Sequence, residues 1–401
     1  MPQAQSNPGN APLRTPGGFA DAQSKASRFW QRVTDGLELE ELWHQFRTDA
    51  RAGYGLYSQE VDWETIRRKE RWKQPFHAAG ALFWAMFMKL TPARRVALLV
   101  ALALMVKGFL DVHFVVFTPR WTHFLLSALV MMLLLALELA DRITMKRDLE
   151  IARDIQKWLV PERPPEVAGF DIAFIARPAN TVAGDYYDAF FRPAPSRAGP
   201  GAGNPGGDDD RRLLLVVADV AGKSVPAALL MATFQASLRA VAATPAPLVE
   251  VVRRLNEYSC AHSLGGMRFT TAFFADLDPA TKKLGHVCAG HNLPFLRRVA
   301  GTLERLEPGG LPLGIQADAT FETGETTLAR GDVLVIFSDG LVEAVNEAGE
   351  EYGEARLAEM LNIIPGESAA ETLKHILAAV DRFVGRARQH DDMTCMVVRA
   401  V

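Results

Sequence analysis

Carboxylates delivered to the ends of strands are the residues in this 401-residue chain most able to do chemistry. LLLVVAD (213–219) and VLVIFSD (333–339) each read as a buried strand that stops at an aspartate, with Gly222 and Gly340 following closely. AGDYYD (183–188) offers Asp185 in the same manner, and HDDMTCMVVR (390–399) sets Asp391 and Asp392 just before an apolar strand. One such place is an ordinary turn, because Asp is a common turn and cap residue. Four of them within about 210 residues point to convergence. If Asp185, Asp219, Asp339 and Asp391 meet, their repulsion raises their pKa values or loosens the fold. Hard divalent cations remove that penalty, and all-oxygen ligands suit Mg²⁺ or Mn²⁺ rather than zinc. Two such ions can share a bridging carboxylate, acidify a water held between them, and clamp a phosphoryl group during in-line attack.

Competing motifs are weaker. VADVAGKS (217–224) comes within one residue of a phosphate-binding loop, but the pattern needs glycine where Val217 stands. Ser224 and Ser338 lack a nucleophile-elbow context. His291, in AGHNLP, reads as a turn or hydrogen-bonding residue rather than a metal ligand, and Ser368-x-x-Glu371 reads as a helix capping box.

The elements that must position these carboxylates lie between about 165 and 401, which reads as one mixed α/β domain of alternating short strands and helices. Its low-complexity stretch, 192–212, is bracketed by strand-like runs and reads as a flexible surface insertion. Upstream, residues 1–27 are Pro-, Gly- and Ser-rich and read as a disordered tail, and 28–95 as a helical cytoplasmic or interfacial segment. Residues 96–118 and 121–137 are long apolar runs, each near the roughly 20 residues that span a bilayer. Lys89, Arg94 and Arg95 before them and Arg142, Lys146 and Arg147 after them predict cytoplasmic ends. Lys107 and Asp111 would share a helix face inside the first run, and 76–90 would lie at the interface or form a third span. From 141 to 160 the composition turns charged without a break, and Ile151, Ile155, Trp158 and Leu159 form one apolar stripe, so the second span is expected to continue as a linker helix.

Composition limits the alternatives. The formal charge of −3 argues against a nucleic-acid partner, and 49% apolar residues exclude a disordered chain. The three cysteines, Cys260, Cys288 and Cys395, show no CxxC spacing, so neither a disulfide framework nor a thiolate zinc site is expected. No apolar h-region opens the sequence, which disfavours a cleavable signal peptide.

In order, ARDIQKWLVP, PANTVAGDYYD, DVAGKSVPAALLMA, MRFTTAFFADLD, AGHNLPFL, GGLPLGI, LARGDVLVIFSDGLVEAVNEAGEEYG and DDMTCMVVR make residues 148–401 resemble the bacterial metal-dependent protein phosphatases (PPM superfamily) of the SpoIIE and RsbU type. The resemblance implies an α+β fold: an α/β/β/α sandwich of two antiparallel sheets flanked by helices, here preceded by a transmembrane helical hairpin over 96–140. It implies two Mn²⁺ or Mg²⁺ ions. Carried over, Asp219 would bridge them with help from the Val220 carbonyl. Asp339 and Asp391 would hold one ion, and Asp185 would lie at the other. Asp392 would support the site or exchange roles with Asp391. Ala183 and Ser224 stand where the family often has glycine; neither removes a ligand. The resemblance further implies a serine/threonine phosphatase that attacks phosphorus through a metal-bound water, acting on a phosphorylated regulatory protein such as an anti-anti-sigma (STAS-type) partner. With the apolar runs, it implies a multi-pass protein of the bacterial cell membrane, homodimeric, with its phosphatase domain (161–401) in the cytoplasm. A catalytically dead scaffold and a two-metal phosphodiesterase or nuclease are the rival classes. Complete acidic ligands disfavour the first, and the lack of a basic stripe with aromatics disfavours the second.

Overall fold

The computed structural model describes residues 74–110, 120–195, 211–262, 268–363 and 368–401. The amino-terminal tail, the basic cluster at 67–73, Asp111 and the low-complexity residues 196–210 lie outside them. Two compact units divide at Leu139 and Ala140.

In the first unit, α1 (Gln74–Lys89) precedes α2 (Pro92–Leu110), and α3 (Arg120–Leu159) begins. Ser127 Oγ donates to the Ala101 carbonyl at 2.9 Å, and Arg94 pairs with Glu138 at 3.3 Å. A Cβ at Gly108 would stand 2.9 Å from the Phe124 ring. Residue numbers fall on one helix as they rise on the other, so α2 and the start of α3 run antiparallel. Length and composition would let two described helices cross a membrane: the one at Trp121–Leu159 and a second, at Ser224–Ala242, which packs in the other unit. α2, with Arg94, Arg95 and Lys107, is not among them. The expected continuation of the second apolar run is present, since α3 is a single helix of 40 residues.

The second unit stacks two five-stranded sheets. One has the order β1 (Phe170–Arg177), β10 (Met393–Ala400), β9 (Val333–Phe337), β6 (Phe295–Arg297) and β7 (Leu303–Arg305). The other runs β2 (Tyr186–Pro193), β3 (Arg211–Val220), β4 (Thr270–Leu277), β5 (Lys283–Ala289) and β8 (Gly324–Thr327). Every pairing between these named strands is antiparallel. Helices α4 (Ser224–Ala242) and α5 (Leu248–His262) cover the second sheet; α7 (Gly353–Ile363) and α8 (Ala369–Val384) cover the first, while α6 (Asp339–Val342) is a single turn.

This layering explains why β3 reads as an unbroken apolar run. Leu213, Leu215 and Val217 fill the core between the sheets, while Leu214, Val216 and Ala218 pack under the helices. β9 divides likewise, with Leu334 and Ile336 between the sheets and Val333, Val335 and Phe337 under α8. The buried Arg192 guanidinium is satisfied by Asp276 at 2.9 and 2.8 Å and by the Ala246 carbonyl. The capping box at Ser368 and Glu371 is formed in both directions.

Candidate metal centre

Register brings the carboxylates together in pairs. Tyr186 at the start of β2 opposes Ala218 near the end of β3, so Asp185 stands beside Asp219. In the other sheet Phe337, the last residue of β9, pairs next to the start of β10, opposite Cys395. Asp339 and the Asp391–Asp392 pair therefore share the same edge. Stacking the sheets joins the two pairs.

Asp185 is 4% exposed, and its Oδ2 has no hydrogen-bond partner among the described residues. Burial first, then the charge on Asp219, hold its carboxyl well above the usual range. Burial and the neighbouring Asp339 and Asp391 push Asp219 up to about 6. Asp339 is also raised, by burial and then by Asp391; the Gly340 N–H and Lys223 oppose the rise. A Cβ built on Gly184 would lie 3.2 Å from the Val220 carbonyl oxygen and 3.6 Å from Asp219 Oδ1, so that carbonyl faces the same cleft as the carboxylates.

Asp391 and Asp392 are differently engaged. Asp392 Oδ1 accepts the Ala179 N–H at 2.7 Å and its Oδ2 the Gly184 N–H at 2.6 Å, so both oxygens clamp the loop that carries Asp185. Asp391 turns toward solvent, its Oδ1 accepting the Asp392 N–H at 2.9 Å and its Oδ2 paired with Lys223 at 2.9 Å. His291 is buried and uncharged, its pKa lowered to about 4 by burial, with Nδ1 3.0 Å from Thr271 Oγ1. Thr271 pairs with Asp219 across β3 and β4, so His291 braces the site from behind.

Two contributors were not evident in the pattern. Gln156, near the end of α3, clasps Ala183 with both ends of its amide: Nε2 donates to the carbonyl at 2.6 Å, and Oε1 accepts the N–H at 3.0 Å. Lys223 lies in the near-miss phosphate-loop run and in the DVAGKSVPAALLMA motif, but neither assigned it a role. Its neighbour Ser224, where glycine is frequent, has φ +63°, a left-handed conformation that disfavours side chains. Ser224→Gly is expected to stabilise the domain by about 1 kcal/mol, measured as a raised thermal midpoint.

Among the described residues no three His, Cys, Asp or Glu side chains are gathered closely enough to grip one ion by themselves. Hard ions of the Mg²⁺ class do not require this, since they keep several waters and bind through one or two carboxylates. The orphaned buried oxygen of Asp185 and the all-oxygen donor set fit such ions.

A family model described as "Stage II sporulation protein E (SpoIIE)" matches residues 209–401. The chain is 28% identical to the phosphoserine phosphatase RsbU of Bacillus subtilis over 255 residues, covering 63% of this chain and 70% of that protein. It is 26% identical to the protein IcfG of Synechocystis over 291 residues, covering 66% of this chain and 43% of that one. Among solved structures, the SiaA-PP2C domain of Pseudomonas aeruginosa superposes with a TM-score of 0.54 at 20% identity, over 65% of this chain and 98% of that one. That likeness shows the fold: the two-sheet sandwich with helices on both outer faces.

Proposed function

We propose that the chain is a bacterial PPM-type serine/threonine phosphatase of the SpoIIE and RsbU type, membrane-anchored and metal-dependent, acting on phosphoserine or phosphothreonine of a regulatory protein; the SpoIIE model match over residues 209–401 and the likeness to RsbU support this reading. The observation that carries this reading is the buried Asp185 Oδ2, without a hydrogen-bond partner among the described residues, beside the raised carboxylate of Asp219. Mn²⁺ or Mg²⁺ would supply water activation and charge neutralisation at the phosphoryl group.

The chain's own residues do the positioning. Asp219, with the Val220 carbonyl, would bridge two ions, Asp339 and Asp391 would hold one, and Asp185 the other. Asp392, with both oxygens committed to backbone N–H groups, favours the role of loop clamp and leaves Asp391 as the direct ligand. α3 is continuous from its apolar half to Gln156, so movement along it would reach the Asp185 loop through Ala183.

Membrane anchoring is supported by the apolar surface of α3, where Leu129 is 61%, Met132 67% and Leu135 69% exposed. α2 by itself falls short of a span, but the apolar run it belongs to continues in the sequence to residue 118, so we read a two-span anchor in the bacterial cell membrane with the phosphatase domain in the cytoplasm. The stripe Ile151, Ile155 and Trp158, the last 82% exposed, supports a homodimer through the linker helix. A STAS-type protein is the substrate we favour, as the motif resemblance of residues 148–401 implies.

The test uses the full chain in detergent, with p-nitrophenyl phosphate and a phosphoserine protein. Turnover should require Mn²⁺ or Mg²⁺, vanish in EDTA and return when the metal is restored. Metal-indifferent turnover would overturn the mechanism. Metal binding without any turnover would instead identify a scaffold.

A further inference from the structure

Lys223 has no part in the ligand set, yet its placement is specific. Its Nζ lies 2.9 Å from Asp391 Oδ2 and donates to the His390 carbonyl at 3.0 Å. The backbone is extended, at φ −133° and ψ 158°, where the chain leaves the DVAG turn and enters α4. The side chain is 57% exposed, so the ammonium stands at the open rim of the carboxylate cluster rather than within it. Asp391, Asp392 and Asp219 all favour its charged form, and it acts in return on Asp339 and Glu343.

We propose that Lys223 contacts the phosphoryl group of the substrate, and that its charge there lowers the affinity of the site for metal. This rests on the phosphatase reading. A phosphomonoester dianion approaching this edge meets Asp219, Asp339, Asp391 and Asp392, all of one sign. An ammonium at the rim offsets that repulsion, and of its three N–H donors two are used by Asp391 and His390, which leaves one for a phosphoryl oxygen. The same charge has a second consequence. A cation bound through Asp391 Oδ2 must share that oxygen with the ammonium, and like charges repel. Metal affinity and substrate affinity are therefore set against each other by one side chain.

Lys223→Met in the full chain should bind Mn²⁺ on the order of tenfold more tightly by calorimetry. In the same protein the KM for p-nitrophenyl phosphate and the inhibition constant of inorganic phosphate should rise about tenfold, with kcat changing less. Lys223→Arg, which keeps the charge, should hold both within about threefold of the parent. Unchanged or weaker Mn²⁺ binding in the Met variant would reduce Lys223 to an anchor for Asp391, and an unchanged KM would remove it from the substrate. If the Met variant melts abnormally, Lys223→Gln and the salt dependence of the parent decide, because a KM that ignores ionic strength also overturns the proposal. A parent chain that neither binds Mn²⁺ nor turns over substrate sinks the phosphatase reading itself, whereas an active parent with an indifferent Met variant sinks only the role of Lys223.

Discussion

Asp219→Asn should lower metal-dependent turnover of p-nitrophenyl phosphate by about a thousandfold or more, equivalent to about 4 kcal/mol of transition-state stabilisation. Asp219 sits at the end of a strand buried on both faces and paired on both edges, so the amide fits the same backbone and the fold should survive. The loss is therefore electrostatic: the substitution removes the carboxylate assigned to both ions. Calorimetry should show Mn²⁺ binding weakened in parallel. A variant with intact Mn²⁺ binding and full turnover would move the bridging role elsewhere.

The same residue sets a pH dependence. Burial and like charges raise Asp185, Asp219 and Asp339 in the folded state, Asp219 to about 6. The folded protein then holds protons that the unfolded chain has released, so the metal-free domain loses stability as pH rises from about 4 through 6. Metal uptake has the opposite slope, since each proton must leave before a cation binds. Mn²⁺ affinity should fall as pH drops below about 6, with proton release on binding, and Asp219→Asn should flatten that slope.

Gly340→Ala should be nearly as damaging to activity. A Cβ at Gly340 would run into the Asp392 carbonyl oxygen and stand 2.9 Å from its carbonyl carbon. Neither atom belongs to a flexible side chain, so the backbones carrying Asp339 and Asp391–Asp392 would have to separate. Serine 338 already bonds across this contact, its N–H to the Thr394 carbonyl at 2.9 Å and its Oγ accepting the Thr394 N–H at 2.9 Å. A shift of about 1 Å here can cost about a hundredfold in rate, and overpacking typically costs 1–3 kcal/mol of stability. The expected signature is a variant that melts lower, binds Mn²⁺ weakly and loses activity by about a hundredfold or more. Gly340→Ala with parental activity and melting would show that the two loops are not tied as closely as their hydrogen bonds indicate.

What local pattern determined here is what short-range physics encodes. Apolar runs at 213–218 and 333–337 had to be strands with both faces covered, their terminal aspartates had to emerge at a sheet edge, and Ser368 with Glu371 had to open a helix. The unbroken helical pattern through 141–160 likewise followed from spacing alone. The motif order went further and carried fold and activity.

Partnerships between distant residues were decided by the stacking of the two sheets. Asp392 closes onto Gly184, 208 positions away, and Lys223 onto the His390 carbonyl, 167 away. Gln156 reaches Ala183 only because α3 ends beside the β2 entry. Hydrophobic period marks which face of a strand is buried. It carries no signal for which strand end will meet which, because that depends on sheet order and register summed over the whole domain. The reading of Asp391 and Asp392 shows this most directly. Two adjacent aspartates are equivalent in sequence, but successive residues at a strand entry point in opposite directions, and only the packed loop gave one of them two backbone donors and left the other facing the lysine.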